Sequence, residues 1–238
     1  PPDLSIYGIP FVVFTGWDGQ AFRVYGTNLT QDPTEYSQLS GEERPAYMPV
    51  WSPDGWAIAY LEYDQAAGKY TFSIYSMYDS QTYHLDEPVN VSYDYCWTYD
   101  HKYLVWSDHQ PDGMEMDIYR MEVATGEITN LTEDSPVWDA FPACSPVSDQ
   151  IAFVSDRALS GKGSDNIWLM DSQGENLKQL TDTPTWENTR PAWSPDGGQI
   201  AYAHTGYPGI SGDTFAPEGL YVISADGSDG YVVAAQDD

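Results

Sequence analysis

The chain is short of positive charge, cysteine, long apolar runs and helical periodicity. Nine of its 238 residues are Lys or Arg against 37 Asp or Glu, a formal net charge of −28. Such a surface repels phosphate backbones and argues against nucleic acid as a partner. It disfavours anionic membranes for the same reason. Cations and basic partners are attracted instead, and acidity of this kind also keeps a β-rich protein soluble. No apolar run reaches the roughly 18 residues that a helical membrane span needs. Two cysteines, Cys96 and Cys144, are too few for a disulfide framework. They fall on adjacent positions of a repeated strand. Alternate strand residues face opposite sides, so the pair is expected to be two buried thiols rather than one bridge. No segment holds a 3.6-residue apolar stripe over three turns, so little helix is expected.

Several reaction signatures are missing too. There is no Gly-x-Ser-x-Gly nucleophile elbow and no phosphate-cradling glycine loop. The histidines, at 84, 101, 109 and 204, show no zinc-ligand spacing. The chain begins Pro1-Pro2-Asp3, without an initiator Met or a signal-like segment. It is therefore expected to be a processed protein or an excised piece of a longer one.

What is present is a repeat. Pro191-Ala192-Trp193-Ser194-Pro195-Asp196-Gly197 recurs as Pro49-Val50-Trp51-Ser52-Pro53-Asp54-Gly55. Eroded copies stand at Tyr95–Asp100 and Pro142–Pro146. Each reads as a strand ending at Trp, a tight turn made by Ser-Pro-Asp-Gly, and a second apolar strand. Those second strands include Ala57–Tyr60, Tyr103–Trp106, Ile151–Val154 and Ile200–Tyr202. An aromatic strand follows, as in Ile74-Tyr75 or Ile167-Trp168, and then a short one ending in Leu. The motif Trp positions 51, 97, 144 and 193 are 46, 47 and 49 apart. Four strands every 40–50 residues or so mark the blade of a β-propeller. The expected fold is all-β, one domain over 1–238. It has five four-stranded blades near 3–40, 46–86, 92–132, 138–181 and 188–236. Six blades, or membership of a longer propeller, is the alternative. Leu4–Tyr7 would be the inner strand of blade one.

Pro191–Tyr202 resembles the WD40-like repeat of TolB-type β-propellers. So do Ser155-Asp156-Arg157, Asn166–Thr181 and Ser224–Ser228. The resemblance is strong over 138–229 and 49–60 and weaker in blades one and three. It implies that the first strand of each blade lines a channel. Its mouth would be formed by the entry loops and the loops between second and third strands. On that placement the candidate ligand-binding residues are Trp17, Asp18, Tyr47, Asp64, Asp94, Asp139, Asp156, Arg157, Arg190 and His204. Carboxylates and aromatics together suit a cationic peptide, a sugar or a metal. Loop Asp residues also make Asx-turns, which need no ligand.

Asp108-His109-Gln110-Pro111-Asp112-Gly113 starts like a calcium loop, with oxygen ligands at alternate positions. Asp108, Asp112 and Asp117 are the candidate ligands. The twelfth position is Tyr119 rather than Glu, which excludes an EF-hand. Otherwise no cofactor is expected.

The expected function is a non-catalytic binding or scaffold module that uses one face of the propeller, and the resemblance implies a setting outside the cytoplasm, periplasmic or extracellular. A protein or peptide partner, cationic by charge, is expected, and the chain is expected to be a monomer or part of a longer one. The rival is a carbohydrate-active glycosidase or lyase with paired channel carboxylates, Asp94 and Asp139 being the candidate pair.

Overall fold

The computed structural model describes residues 11–28, 35–109, 116–133, 135–157, 165–183, 186–206 and 218–235. Among the described residues all regular elements are strands, arranged as five antiparallel meanders of the propeller type. The proposed inner strand at Leu4–Tyr7 lies outside the described residues, and the first sheet shows three strands. The other four sheets have four. The chain divides into two compact units, Pro1–Asn90 and Val91–Asp238.

The first unit holds two sheets. One is β1 (Phe11–Trp17), β2 (Phe22–Asn28) and β3 (Ser37–Gln38). The next is β4 (Ala46–Trp51), β5 (Ala57–Asp64), β6 (Lys69–Ser76) and β7 (Gln81–Val89). They share a core of Val24, Leu39, Ala46, Ile58 and Tyr60, closed by Phe11 and Trp51. Those two rings meet edge-on at 5.8 Å.

The second unit holds three sheets. Blade three is β8 (Tyr95–Trp97), β9 (Tyr103–His109), β10 (Met116–Glu122) and β11 (Ile128–Asn130). Blade four is β12 (Asp139–Cys144), β13 (Ile151–Ser155), β14 (Asn166–Met170) and β15 (Lys178–Gln179). Blade five is β16 (Trp186–Trp193), β17 (Gln199–Gly206), β18 (Gly219–Ser224) and β19 (Gly230–Ala235). Val105, Ile118, Ile151, Phe153, Trp168 and Met170 fill the space between blades three and four. Ala152, Val154, Ile167, Leu169, Ile200, Tyr202 and Ile223 fill that between four and five. The odd and even residues of β13 thus serve opposite neighbours. That is why the second strand of the repeat is apolar throughout rather than alternating.

The repeat's turn is explained by its hydrogen bonds. Ser52 Oγ donates to Asp54 Oδ1 at 2.6 Å, and the Ala57 N–H donates to Ser52 Oγ at 2.9 Å. Ser194, Asp196 and Gln199 repeat this at 2.6 and 2.9 Å. Gly55 and Gly197 close the turns in the left-handed region, with φ of 74° and 68°. The hydroxyl residues that follow Leu39, Leu131 and Leu180 have a job as well. Ser40, Thr132 and Thr181 accept the N–H of Val24, Ile118 and Ile167 at 3.0, 3.0 and 2.9 Å. This satisfies a buried donor of the third strand that the short outer strand cannot reach. The motif Trp ties blades together, because Trp193 Nε1 donates to the Ala143 carbonyl at 2.8 Å.

One expectation is overturned. Cys96 and Cys144 form a disulfide, with Cα atoms 5.7 Å apart. The facing argument holds within one sheet, but these cysteines sit on different ones. Stacked blades meet through opposite faces, so opposite-pointing residues on neighbouring inner strands converge. Both lie at the edge of the core between blades three and four.

Candidate functional site

Three inner strands share an unusual step. In β4, β12 and β16 the register shifts between Tyr47 and Val50, Ala140 and Ala143, and Thr189 and Ala192. The residues inside these bulges, Met48, Phe141 and Arg190, have φ of 53°, 53° and 54°. Each precedes a proline. Proline has no N–H to lose from a ladder, so the bulge forgoes little pairing there. The left-handed backbone is strained for all three side chains and re-aims them. Blade three departs from this, with exposed Asp94 followed by Tyr95 in place of proline.

In the second unit these re-aimed residues meet. The Arg190 guanidinium lies over the Phe141 ring, 5.1 Å from its centre. Tyr93 packs on Phe141 with the rings tilted and their centres 4.3 Å apart, and Trp138 approaches Phe141 edge-on at 5.7 Å. Tyr93 is 37% exposed and Arg190 is exposed, so the cluster is open to a partner. Arg190 was among the expected residues. Trp138 was missed, because nothing about it in sequence separates it from a core aromatic.

The carboxylates mostly serve the fold. Asp139 is fully buried and pairs with Arg157. Arg157 also donates from Nε to Ser155 Oγ at 2.8 Å and from Nη2 to Ser135 Oγ at 3.3 Å. Burial holds the Asp139 carboxyl above its ordinary value, outweighing the guanidinium. Asp156 accepts the Trp138 N–H at 3.2 Å. Arg157 also lines a cleft of about 460 Å³ with Asn130, Thr132 and Ser135. His204 is buried, with Nδ1 2.7 Å from Asn188 Oδ1, and burial lowers its pKa. The Asn188 side-chain amide donates to the Asp165 carbonyl at 3.1 Å. The Asp165 carboxyl is pushed up to about 6, chiefly by burial and then by Glu187 and Asp156.

Two of the three expected calcium ligands are described. Asp108 and Asp117 are opposed across β9 and β10, and Asp112 lies outside the described residues. Asp117 is fully buried and accepts from Asn130 Nδ2 at 2.6 Å and Thr132 Oγ1 at 3.3 Å. Among the described residues no cluster of three or more His, Cys, Asp or Glu is placed to hold a metal.

In the first unit, the expected residues Trp17, Asp18, Tyr47 and Asp64 gather at the same end of their blades. Trp17 packs on Phe22 at 5.1 Å, Phe22 on Tyr47 at 5.5 Å, and Tyr47 on Tyr70 at 6.2 Å. Tyr63 and Tyr70 continue the row at 4.9 Å. Asp18 and Asp64 are turn residues. Asp18 Oδ1 accepts the Gln20 and Ala21 N–H groups at 2.6 and 2.7 Å. Asp64 Oδ1 accepts those of Ala66 and Ala67 at 2.9 and 3.0 Å. These backbone donors hold both carboxyls below the usual range.

No protein-family model matches the chain. An uncharacterised protein of Agrobacterium fabrum is 31% identical over 172 residues, 69% of this chain and 57% of the relative. The Tol-Pal system protein TolB of Francisella tularensis is 28% identical over 156 residues, 61% of this chain and 32% of that protein. The chain thus spans between a third and somewhat over half of these relatives. Among solved structures, TolB from Acinetobacter baumannii superposes with a TM-score of 0.67 at 18% identity, covering 98% of this chain and 56% of that one. An oligogalacturonate lyase in complex with manganese gives 0.69 at 17% identity, covering 96% and 63%. The last two likenesses speak for the fold alone. With its repeat, its five antiparallel meanders and these relatives, the chain is a TolB-type β-propeller.

Proposed function

We propose that this propeller is a non-catalytic binding scaffold that takes a protein or peptide at the ends of its blades. The observation that carries this reading is the repeated left-handed bulge at Met48, Phe141 and Arg190. A strained conformation recurs at one place in the repeat under three unlike side chains, and in the second unit two of them, Phe141 and exposed Arg190, join Tyr93 in a cluster open to solvent. The relative named as a Tol-Pal system protein supports a protein partner. The Cys96–Cys144 bridge supports an extracytoplasmic setting, since such bonds persist in oxidising compartments. A net charge of −28 favours a basic partner.

The rival, a carbohydrate-active enzyme, draws on the fold likeness to the lyase. Its carboxylate pair fares poorly, because Asp139 is buried against Arg157. The test is a comparison of two assays. Immobilised protein is expected to retain a protein from an extracytoplasmic extract and to leave a panel of polysaccharides intact. Cleavage of a polysaccharide that is lost in Asp94→Asn would replace this reading with the enzyme.

A further inference from the structure

The aromatic row of the first unit carries a more specific reading. Trp17 is 60% exposed and Phe22 42%, and they lead a continuous file of rings through Tyr47 and Tyr70 to Tyr63. Exposed rings in contact with one another present π faces, which attract cations electrostatically. The protein uses that contact elsewhere. Arg120 lies over Tyr103 at 4.5 Å, Arg157 over Phe153 at 5.2 Å, and Arg190 over Phe141 at 5.1 Å. All of these are in the second unit. Among the described residues, none of the chain's own cations lies over the row in the first.

The nearest arginines are committed to other partners. Arg23 donates from Nε to Asp18 at 3.0 Å and from its two terminal nitrogens to the Arg44 and Glu42 carbonyls at 2.8 and 2.9 Å. Arg44 pairs with Asp64 at 3.2 Å. Asp18 and Asp64 flank the row, with exposed Glu42 and Glu43 in the segment between β3 and β4. The surface is therefore rich in aromatic rings along its length; Asp18 and Asp64 at its margins are each paired with an arginine, and Glu42 and Glu43 carry the acidic charge beside it.

We propose that this row is a docking site for an extended segment bearing arginine or lysine. Its cationic side chains lie over Trp17 and Tyr47 as Arg190 lies over Phe141. The inference rests on the reading of the chain as a peptide-binding propeller, and names a second place on it and the chemistry of the partner. Mutual repulsion of two bodies of charge −28 disfavours a second copy of this chain as the occupant.

The test is calorimetric titration of the whole chain with tetra-arginine amide and tetraglutamate, at about 0.15 M salt to screen diffuse attraction. Tetra-arginine binds and tetraglutamate does not. Trp17→Ala with Phe22→Ala weakens tetra-arginine binding about tenfold, the loss expected of one or two cation–aromatic contacts. Trp17→Phe, which keeps a ring, retains most of the affinity. Neither change alters the net charge, so equal affinity in the double variant would mean that the peptide reads bulk charge alone, and would overturn the site. Circular dichroism of the double variant confirms the fold. If it unfolds, protection of Trp17 from oxidative footprinting by tetra-arginine decides instead, and its absence overturns the proposal. Partner capture that depends on Tyr93 and Arg190 while tetra-arginine fails would sink this inference and leave the broader reading standing.

Discussion

Cys96 and Cys144 join the inner strands of two neighbouring blades, bridging 48 residues of sequence with Cα atoms 5.7 Å apart. Closing a loop of that size removes unfolded-state entropy worth about 4 kcal/mol in the chain-entropy treatment, with measured effects nearer 2–4 kcal/mol. Thermal unfolding of Cys96→Ser with Cys144→Ser is expected to fall by about 5–15 °C. Adding reductant to the wild type should produce the same loss and leave the variant unmoved. Equal melting temperatures with and without reductant would mean that the bridge adds nothing.

His101 occupies the place of Gly55 and Gly197 in the repeat, with a φ of 60°. The blade-three turn is otherwise intact, since Thr98 Oγ1 donates to Asp100 Oδ1 at 2.8 Å and accepts the Tyr103 N–H at 3.1 Å. A left-handed backbone costs a side-chain-bearing residue about 1–2 kcal/mol, part of which glycine gives back in unfolded-state entropy. His101→Gly is therefore expected to raise stability by up to about 1 kcal/mol. Urea denaturation checks it, and a clear loss of stability would show that the His101 ring contributes more than its backbone costs.

Asp165 gives a pH signature of unusual sign. Its folded pKa of about 6 lies above the ordinary 3.8, so between those values the folded state holds more protons than the unfolded one. This group therefore adds stability at acid pH that is lost as pH rises through about 6. Asp165→Asn removes that slope, so the variant should gain on the wild type between pH 4 and pH 7 by on the order of 1 kcal/mol after solvent screening. Parallel stability curves for the two proteins would contradict the assignment. Asp18, Asp64, Asp196 and Asp226 act in the opposite sense, and their contribution is lost as pH falls below the ordinary carboxylate range.

The blades were legible because one unit repeats. Trp-Ser-Pro-Asp-Gly names its own turn, and its recurrence fixes four of the five inner strands. The bridge was not legible, because whether Cys96 meets Cys144 depends on how sheets stack, and alternation within a strand says nothing of that. The left-handed bulges were hidden for a related reason. The sequence shows Met48-Pro49, Phe141-Pro142 and Arg190-Pro191, but a residue before proline is ordinarily extended. Candidate carboxylates were easy to find and hard to sort. Asp18 and Asp64 belong to hairpin turns a few residues long, whereas Asp139 belongs to Arg157 and Asp117 to Asn130, partners that the fold brings there. Trp17 and Tyr47 stand in one row, which Phe22 and Tyr70 complete.

The most direct measurement is the affinity of the captured partner for the wild type and for Tyr93→Ala with Arg190→Ala. Both side chains are on the surface, so the melting temperature should move by no more than about 4 °C. Binding weakened tenfold or more with the fold intact is the expected result, since exposed aromatic and arginine anchors dominate such interfaces. Unchanged affinity would show that the partner does not use the Tyr93–Phe141–Arg190 cluster, and would remove the functional meaning given to the bulges at Phe141 and Arg190.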